Sequence, residues 1–214
     1  MLSKFLQSAL DYYKSEKDIY DTLLKYMEKN TATRKYADVC EENGWNFVID
    51  HLTIRTYDID IAARRIEKLG WKYDETLDYR SEGWWAKVYR HPKYSPFFVD
   101  QSYDDVSDSQ KIIKKWVDKF GDKDFHHIAV LLSQGVEIEE VINLLKAKGV
   151  NFPGKVTGPK ETRLRQIFTQ AEVIDSFPFS VLELAQRNKD LKTGQVYKGF
   201  IHEQADSLMK DSIL

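Results

Sequence analysis

Two adjacent histidines, His126 and His127, stand at the head of the β-branched run "FHHIAVLLS", and a third, His51, leads "HLTIRTYD" in the same way. Successive side chains on a strand leave opposite faces, so only one of the adjacent pair faces inward. The register with His51 makes that residue His127 and leaves His126 as packing or as a hydrogen-bond donor behind it. In "SVLELAQR", Glu183 sits between Leu182 and Leu184, where an ionised carboxylate is costly to bury without a partner. A divalent metal would be that partner. Two imidazoles and one carboxylate on one face of an octahedron is the donor set of non-haem Fe(II), which leaves positions for substrate and dioxygen. Taken singly, each residue has a plainer reading: a strand-leading histidine is usually structural, and a glutamate in an alternating strand usually faces solvent. The corresponding positions of the histidines in a repeated unit favour the metal.

That repeat fixes the elements needed to position them. "HLTIRTYDIDIAARRIEKLGWKY" lies over "HIAVLLSQGVEIEEVINLLKAKGVNF" as a histidine-led strand, an amphipathic helix stopped by glycine (Gly70, Gly149), and an aromatic pick-up. Ile61, Ala62, Ile66 and Leu69 are expected on the buried face of the first helix. "WKYDETLDY", "GWWAKVYRH" and "PFFVDQSY" then read as strands, and in the second unit "VNFPGKV" reads as a short strand or turn, with strands in "RLRQIFTQAE" and "FPFSVLELAQR". The expected fold class is α+β: two βαβββ modules forming a half-closed β-cup around a metal, with an N-terminal helical cover. Residues 1–45 form the cover, 46–105 the first module, 106–122 a linker helix, 123–190 the second module and 191–214 a C-terminal tail, all in one globular domain. Within the cover, residues 2–28 read as one broken helix or two short ones.

Composition narrows the partners. With 32 basic and 34 acidic residues mixed along the chain and a net charge of −2, there is no electrostatic footprint for nucleic acid. The single cysteine, Cys40, provides no intramolecular disulfide and fits a reducing compartment. No apolar run approaches the roughly 20 residues of a spanning helix, and "MLSKFLQSALDYYKSEKD" lacks a continuous hydrophobic region or a cleavage site. A cytoplasmic protein without membrane association is expected.

"DHLTIRT", "HHIAV", "RQIFTQAE" and "LELAQR" resemble the signatures of the vicinal-oxygen-chelate superfamily. "IFTQ" followed by "ELAQR" is similar to the end of the 4-hydroxyphenylpyruvate dioxygenase catalytic domain. The cover leading into "DHLTIRT" is closer to the 2-oxoadipate dioxygenase/decarboxylase family, over residues 3–190. The resemblance implies Fe(II) on His51, His127 and Glu183. It also implies a substrate-carboxylate arginine at Arg55 and a pocket amide at Gln166. Residues four apart on a strand share a face at roughly 13 Å, within reach of a folded-back guanidinium, and arginine suits bidentate carboxylate recognition. Arg163, Arg165 and Arg187 add positive charge to the same sheet. Tyr89, Trp84 and Trp85 read as core or rim, and His202 as a surface residue.

The implied reaction takes a 2-oxo (di)carboxylate and O2, with 2-oxoadipate giving 2-hydroxyglutarate and CO2, as in lysine breakdown. The chain is shorter than the long members of that family, which leaves another 2-oxo acid open. The alternatives are a glyoxalase-like isomerase or lyase using Zn, Ni or Mn as Lewis acid, and a metal-free module that binds a small molecule. A monomer and a homodimer are both compatible with the sequence.

Overall fold

A computed structural model of the chain describes residues 2–190, 193–201, 204, 208 and 209. It contains two compact units, His51–Ile128 and Met1–Asp50 with Ala129–Leu214. The central unit takes most of β1 (Val48–Arg55), followed by helix α4 (Ile59–Lys68) and strands β2 (Lys72–Tyr79), β3 (Trp84–Arg90) and β4 (Phe97–Ser102). β2, β3 and β4 are antiparallel neighbours, and β4 runs parallel to β1. Asp58 starts α4 by accepting the Ile61 N–H at 2.9 Å. Ile59, Ala62, Ala63 and Ile66 form its buried stripe, at the i, i+3, i+4, i+7 spacing of one helical face. Ile61 falls off that stripe and is 51% exposed, contrary to the sequence expectation. Gly70 ends the turn at φ 101°, where a β-carbon would meet the His91 ring at 2.9 Å. Helix α5 (Ile112–Phe120) buries Ile113, Trp116 and Val117.

The second set of elements is β5 (Asp124–Leu131), α6 (Ile138–Ala147), β6 (Leu164–Phe168), β7 (Glu172–Ile174) and β8 (Phe177–Arg187). Element order is therefore βαβββ twice within a mixed α+β fold, as the repeat predicts. Its three later strands are distributed differently. "VNFPGKV" carries no strand, since Pro153 has no N–H to give a ladder, and a single bridge, Thr157 to Gln166, lies just after it. "RLRQIFTQAE" is instead broken into β6 and β7. At the break the Thr169 hydroxyl accepts the Leu182 N–H at 3.0 Å, and Gln170 N–H donates to Asn151 at 2.7 Å. Those bonds take the backbone out of the regular pairing. Asp175 and Ser176, at φ 49° and 63°, then close β7 onto β8, the positive-φ pair that a tight two-residue hairpin demands.

The cover is three helices, α1 (Lys4–Asp11), α2 (Lys17–Lys29) and α3 (Thr31–Asn43). The apolar spacing gives the first two and misses α3, whose buried face mixes Ala32, Thr33, Ala37 and Cys40 with Tyr36 and Val39 and so carries a diluted hydrophobic signal. Asn30 binds this cover to the sheet: its Oδ1 accepts Thr33 N–H at 2.8 Å and its Nδ2 donates to Ser180 Oγ at 3.1 Å. Tyr26 adds a phenol hydrogen bond to the Val181 carbonyl at 2.5 Å. The cover therefore grips β8. Among described tail residues, Gln204 donates to the Leu164 carbonyl at 3.0 Å and Leu208 packs on Phe168 and Val181. His202 lies outside the described residues.

Cys40 is fully buried in α3, and burial pushes its thiol up to about 11. Because the thiolate is the nucleophile, Cys40 is expected to react with a thiol-specific disulfide reagent only on unfolding. Rapid modification of the folded protein at pH 8 would contradict this packing.

Candidate functional site

Strand alternation puts His51, Thr53 and Arg55 on one face of β1, and the register with β4 adds Phe98 and Asp100 to it. All five are buried. The His51 ring lies 4.9 Å from the Phe98 ring and 5.7 Å, edge-on, from the His127 ring. His127 Nε2 is 2.9 Å from the Thr53 hydroxyl, and its Nδ1 is 2.9 Å from Nδ1 of His126. The central unit thus brings His51, His127 and Arg55 to one face. His126 leaves β5 on the opposite side, yet its ring reaches back to His127 while standing edge-on to Trp116 at 5.8 Å. Alternation fixes the direction of Cβ, whereas rotation about the next two bonds decides where an imidazole nitrogen lands.

Burial holds His126 and His127 well below the ordinary histidine value, with Arg55 charge acting on both in the same sense. Both are neutral imidazoles, the protonation state a metal ligand needs. This gives a pH dependence of a definite sign. Below the ordinary histidine value of 6.5 the unfolded chain takes up protons that the native imidazoles refuse, so the metal-free protein loses stability as pH falls. Urea midpoints are expected to fall between pH 8 and pH 5, and to fall less in His126→Phe. An equal drop in the variant would contradict a neutral buried His126.

Arg55 is 2% exposed, not the surface ion pair that an isolated strand arginine suggests. Its register partner is Asp100, and its guanidinium lies 5.5 Å from the Trp116 ring centre. Burial lowers the guanidinium against the opposing pull of Asp100. It also raises the Asp100 carboxyl to about 7, with Arg55 and His51 pulling it back. Sequence reasoning passed over Thr53 and Asp100. Asp100 carried the same signal as Glu183, a carboxylate in an apolar run ("FFVDQS"), and Thr53 carried the i+2 spacing from His51.

In the other unit, β8 is buried on both faces from Phe179 to Arg187, which makes Glu183 a core carboxylate. Gln166 on β6 pairs with Ala185, diagonal to Glu183, and its side-chain amide donates to Glu183 Oε1. The pocket amide that the resemblance implies is engaged with a carboxylate in this structure. The remaining arginines also have protein partners. Arg187 forms a two-pronged pair with Asp50 at 2.6 and 2.8 Å and donates to the carbonyls of Tyr197 and Gly199. Arg165 is paired with Glu139, whose carboxyl it holds down to about 2. Arg163 is exposed and covers the Tyr197 ring at 4.6 Å. Trp84 is core, stacked on Tyr79 at 4.2 Å, Tyr89 is buried, and Trp85 is at the rim.

No protein-family model and no curated protein matches the sequence. Solved structures do. Hydroxyglutarate synthase from Oryza sativa, in complex with 2-oxoadipate, is similar over 99% of this chain and 94% of its own, at TM-score 0.76 and 15% identity. A protein from Ralstonia eutropha JMP134 provisionally assigned to the glyoxalase superfamily is similar over 85% and 83%, at TM-score 0.63 and 14% identity. The chain has the vicinal-oxygen-chelate fold. A protein from Shewanella frigidimarina NCIMB 400, provisionally named a hydrolase, is similar over 94% of this chain and 100% of its own, at TM-score 0.68 and 18% identity. Among the described residues, no helix of this fold is long and apolar enough to cross a membrane.

Proposed function

We propose that the chain is a metal-dependent dioxygenase/decarboxylase of a 2-oxo acid, with 2-oxoadipate and O2 giving 2-hydroxyglutarate and CO2. The observation that carries this reading is the likeness along nearly the whole of both chains to a hydroxyglutarate synthase holding 2-oxoadipate. The donor set supports it: His51, His127 and Glu183 are buried residues of the types that could hold a metal ion. Two imidazoles, that of His127 neutral, and an oriented carboxylate suit Fe(II). Bound there, iron supplies the activation of dioxygen that the side chains lack. Arg55 provides the fixed positive charge for a substrate carboxylate, with Asp100 and Trp116 holding it. Gln166 fixes the rotamer of Glu183. A cytoplasmic enzyme that binds neither nucleic acid nor membrane completes the proposal.

The test is turnover by metal-stripped protein reconstituted with Fe(II) without oxygen, then given 2-oxoadipate and air. Oxygen consumed, CO2 released and 2-hydroxyglutarate formed in a 1:1:1 ratio are the expected result. The same fold in a glyoxalase-superfamily protein defines the competing outcome: conversion under nitrogen with Zn²⁺ or Ni²⁺, and no oxygen uptake with Fe(II), would replace the dioxygenase with a Lewis-acid isomerase.

A further inference from the structure

We infer that His126 is a positioning residue that holds His127 in the Nδ1–H tautomer and so presents the Nε2 lone pair of His127 to a metal. The inference rests on the metal-centre reading above and adds a residue and a ligand atom to it. Nδ1 of His126 and Nδ1 of His127 are 2.9 Å apart. A neutral imidazole carries one proton on one of its two nitrogens, so a single proton lies between these two rings. If His127 supplies it, its Nε2 is a bare acceptor; if His126 supplies it, His127 Nε2 carries hydrogen and cannot bind a metal.

The geometry excludes the other ligand atom. Nδ1 of His127 is covered by the His126 ring, leaving Nε2, on the Thr53 side at 2.9 Å from that hydroxyl, as the nitrogen open to a metal. The Thr53 hydroxyl fits either tautomer, because it can donate to a bare Nε2 or accept from a protonated one. On this inference the choice falls to His126, whose own Nε2–H tautomer leaves its Nδ1 to accept the proton of His127. The His126 ring is held edge-on to Trp116 and is 2% exposed, which fixes the direction of its Nδ1. Partners that bond the far nitrogen of a ligating histidine set its tautomer and orientation, and their loss typically costs about 10–100-fold in metal affinity.

Histidine labelled with ¹⁵N, observed through long-range ¹H–¹⁵N couplings in the full chain, reads the tautomer directly, with and without Zn²⁺. The wild-type His127 is expected as Nδ1–H in the metal-free protein, with Zn²⁺ shifting its Nε2 resonance. In His126→Phe, His127 is expected to populate the Nε2–H form and to bind Zn²⁺ about 10–100-fold more weakly. In His126→Asn, whose Oδ1 takes the place of the accepting nitrogen, both tautomer and affinity are expected to return. A wild-type His127 in the Nε2–H form overturns the inference whatever the variants do. So does unchanged Zn²⁺ affinity in a folded His126→Phe. If wild-type protein shows the Nδ1–H form but binds no Zn²⁺, Fe(II) or Co(II), the metal reading falls while the tautomer assignment stands, so the two failures are distinguishable.

Discussion

Replacing Arg187 with methionine is expected to destabilise the protein by about 3–5 kcal/mol, the cost of leaving one member of a buried ion pair without its partner. The side chains of Arg187 and Asp50 are 6% and 5% exposed, so the substitution leaves Asp50 buried without its guanidinium. The two-pronged geometry, at 2.6 and 2.8 Å, is the fork arrangement in which guanidinium and carboxylate bind most strongly. The same guanidinium also donates to the carbonyls of Tyr197 and Gly199 at 3.1 and 2.8 Å. The variant should therefore loosen the C-terminal segment as well as the sheet. Adding Asp50→Leu should recover much of the loss, because a pair replaced by apolar groups no longer carries an uncompensated charge. Urea denaturation of the two variants checks this. A single variant within about 0.5 kcal/mol of wild type, the range of an ordinary surface change, would contradict the burial of the pair.

Arg55→Met is the second large effect, because it removes the charge that opposes neutralisation of buried Asp100, and here the pH dependence is diagnostic. Asp100 is already pushed up to about 7 by burial, with Arg55 as the main force holding it down. Without Arg55 the carboxyl rises further and takes up a proton in the folded state. The unfolded state releases that proton above the carboxylate value of 3.8, so the variant's stability falls as pH rises from that value through the folded-state one. The defect should be larger at pH 8 than at pH 5. Arg55→Met combined with Asp100→Asn should restore stability while 2-oxoadipate turnover stays lost. That separates the guanidinium's part in the fold from its proposed part in binding a carboxylate. Full turnover in a restored double variant would remove Arg55 from the chemistry.

Much of this was legible in the sequence where local pattern and burial agree. The equivalence of His51 and His127, the glycine-stopped helices and the apolar flanks of Glu183 each carry a periodic signal, although both histidines are fourth in their strands, not first as the sequence suggests. α3 was not legible, because alanine, threonine and cysteine take most of its buried face and dilute the stripe that Tyr36 and Val39 would otherwise make. The break between β6 and β7 depends on what Thr169 bonds across the sheet, which spacing along one strand does not reveal. The engagement of Gln166 with Glu183 and of Arg187 with Asp50 likewise depends on register. The identity of a polar residue limits its chemistry, and only its neighbours decide whether it meets substrate or another side chain.

In the proposed function His51, His127 and Glu183, three buried residues that could hold a metal, bind one ion together. Cobalt(II) titration of metal-stripped protein, followed by visible absorption, tests it most directly, since the metal's d–d bands report its donors without any turnover. The account predicts saturation at one Co(II) per chain, with the signal lost in each of His51→Ala, His127→Ala and Glu183→Ala while the variants remain folded. Absence of binding in the wild type, or a Co(II) spectrum untouched by all three substitutions, would contradict it.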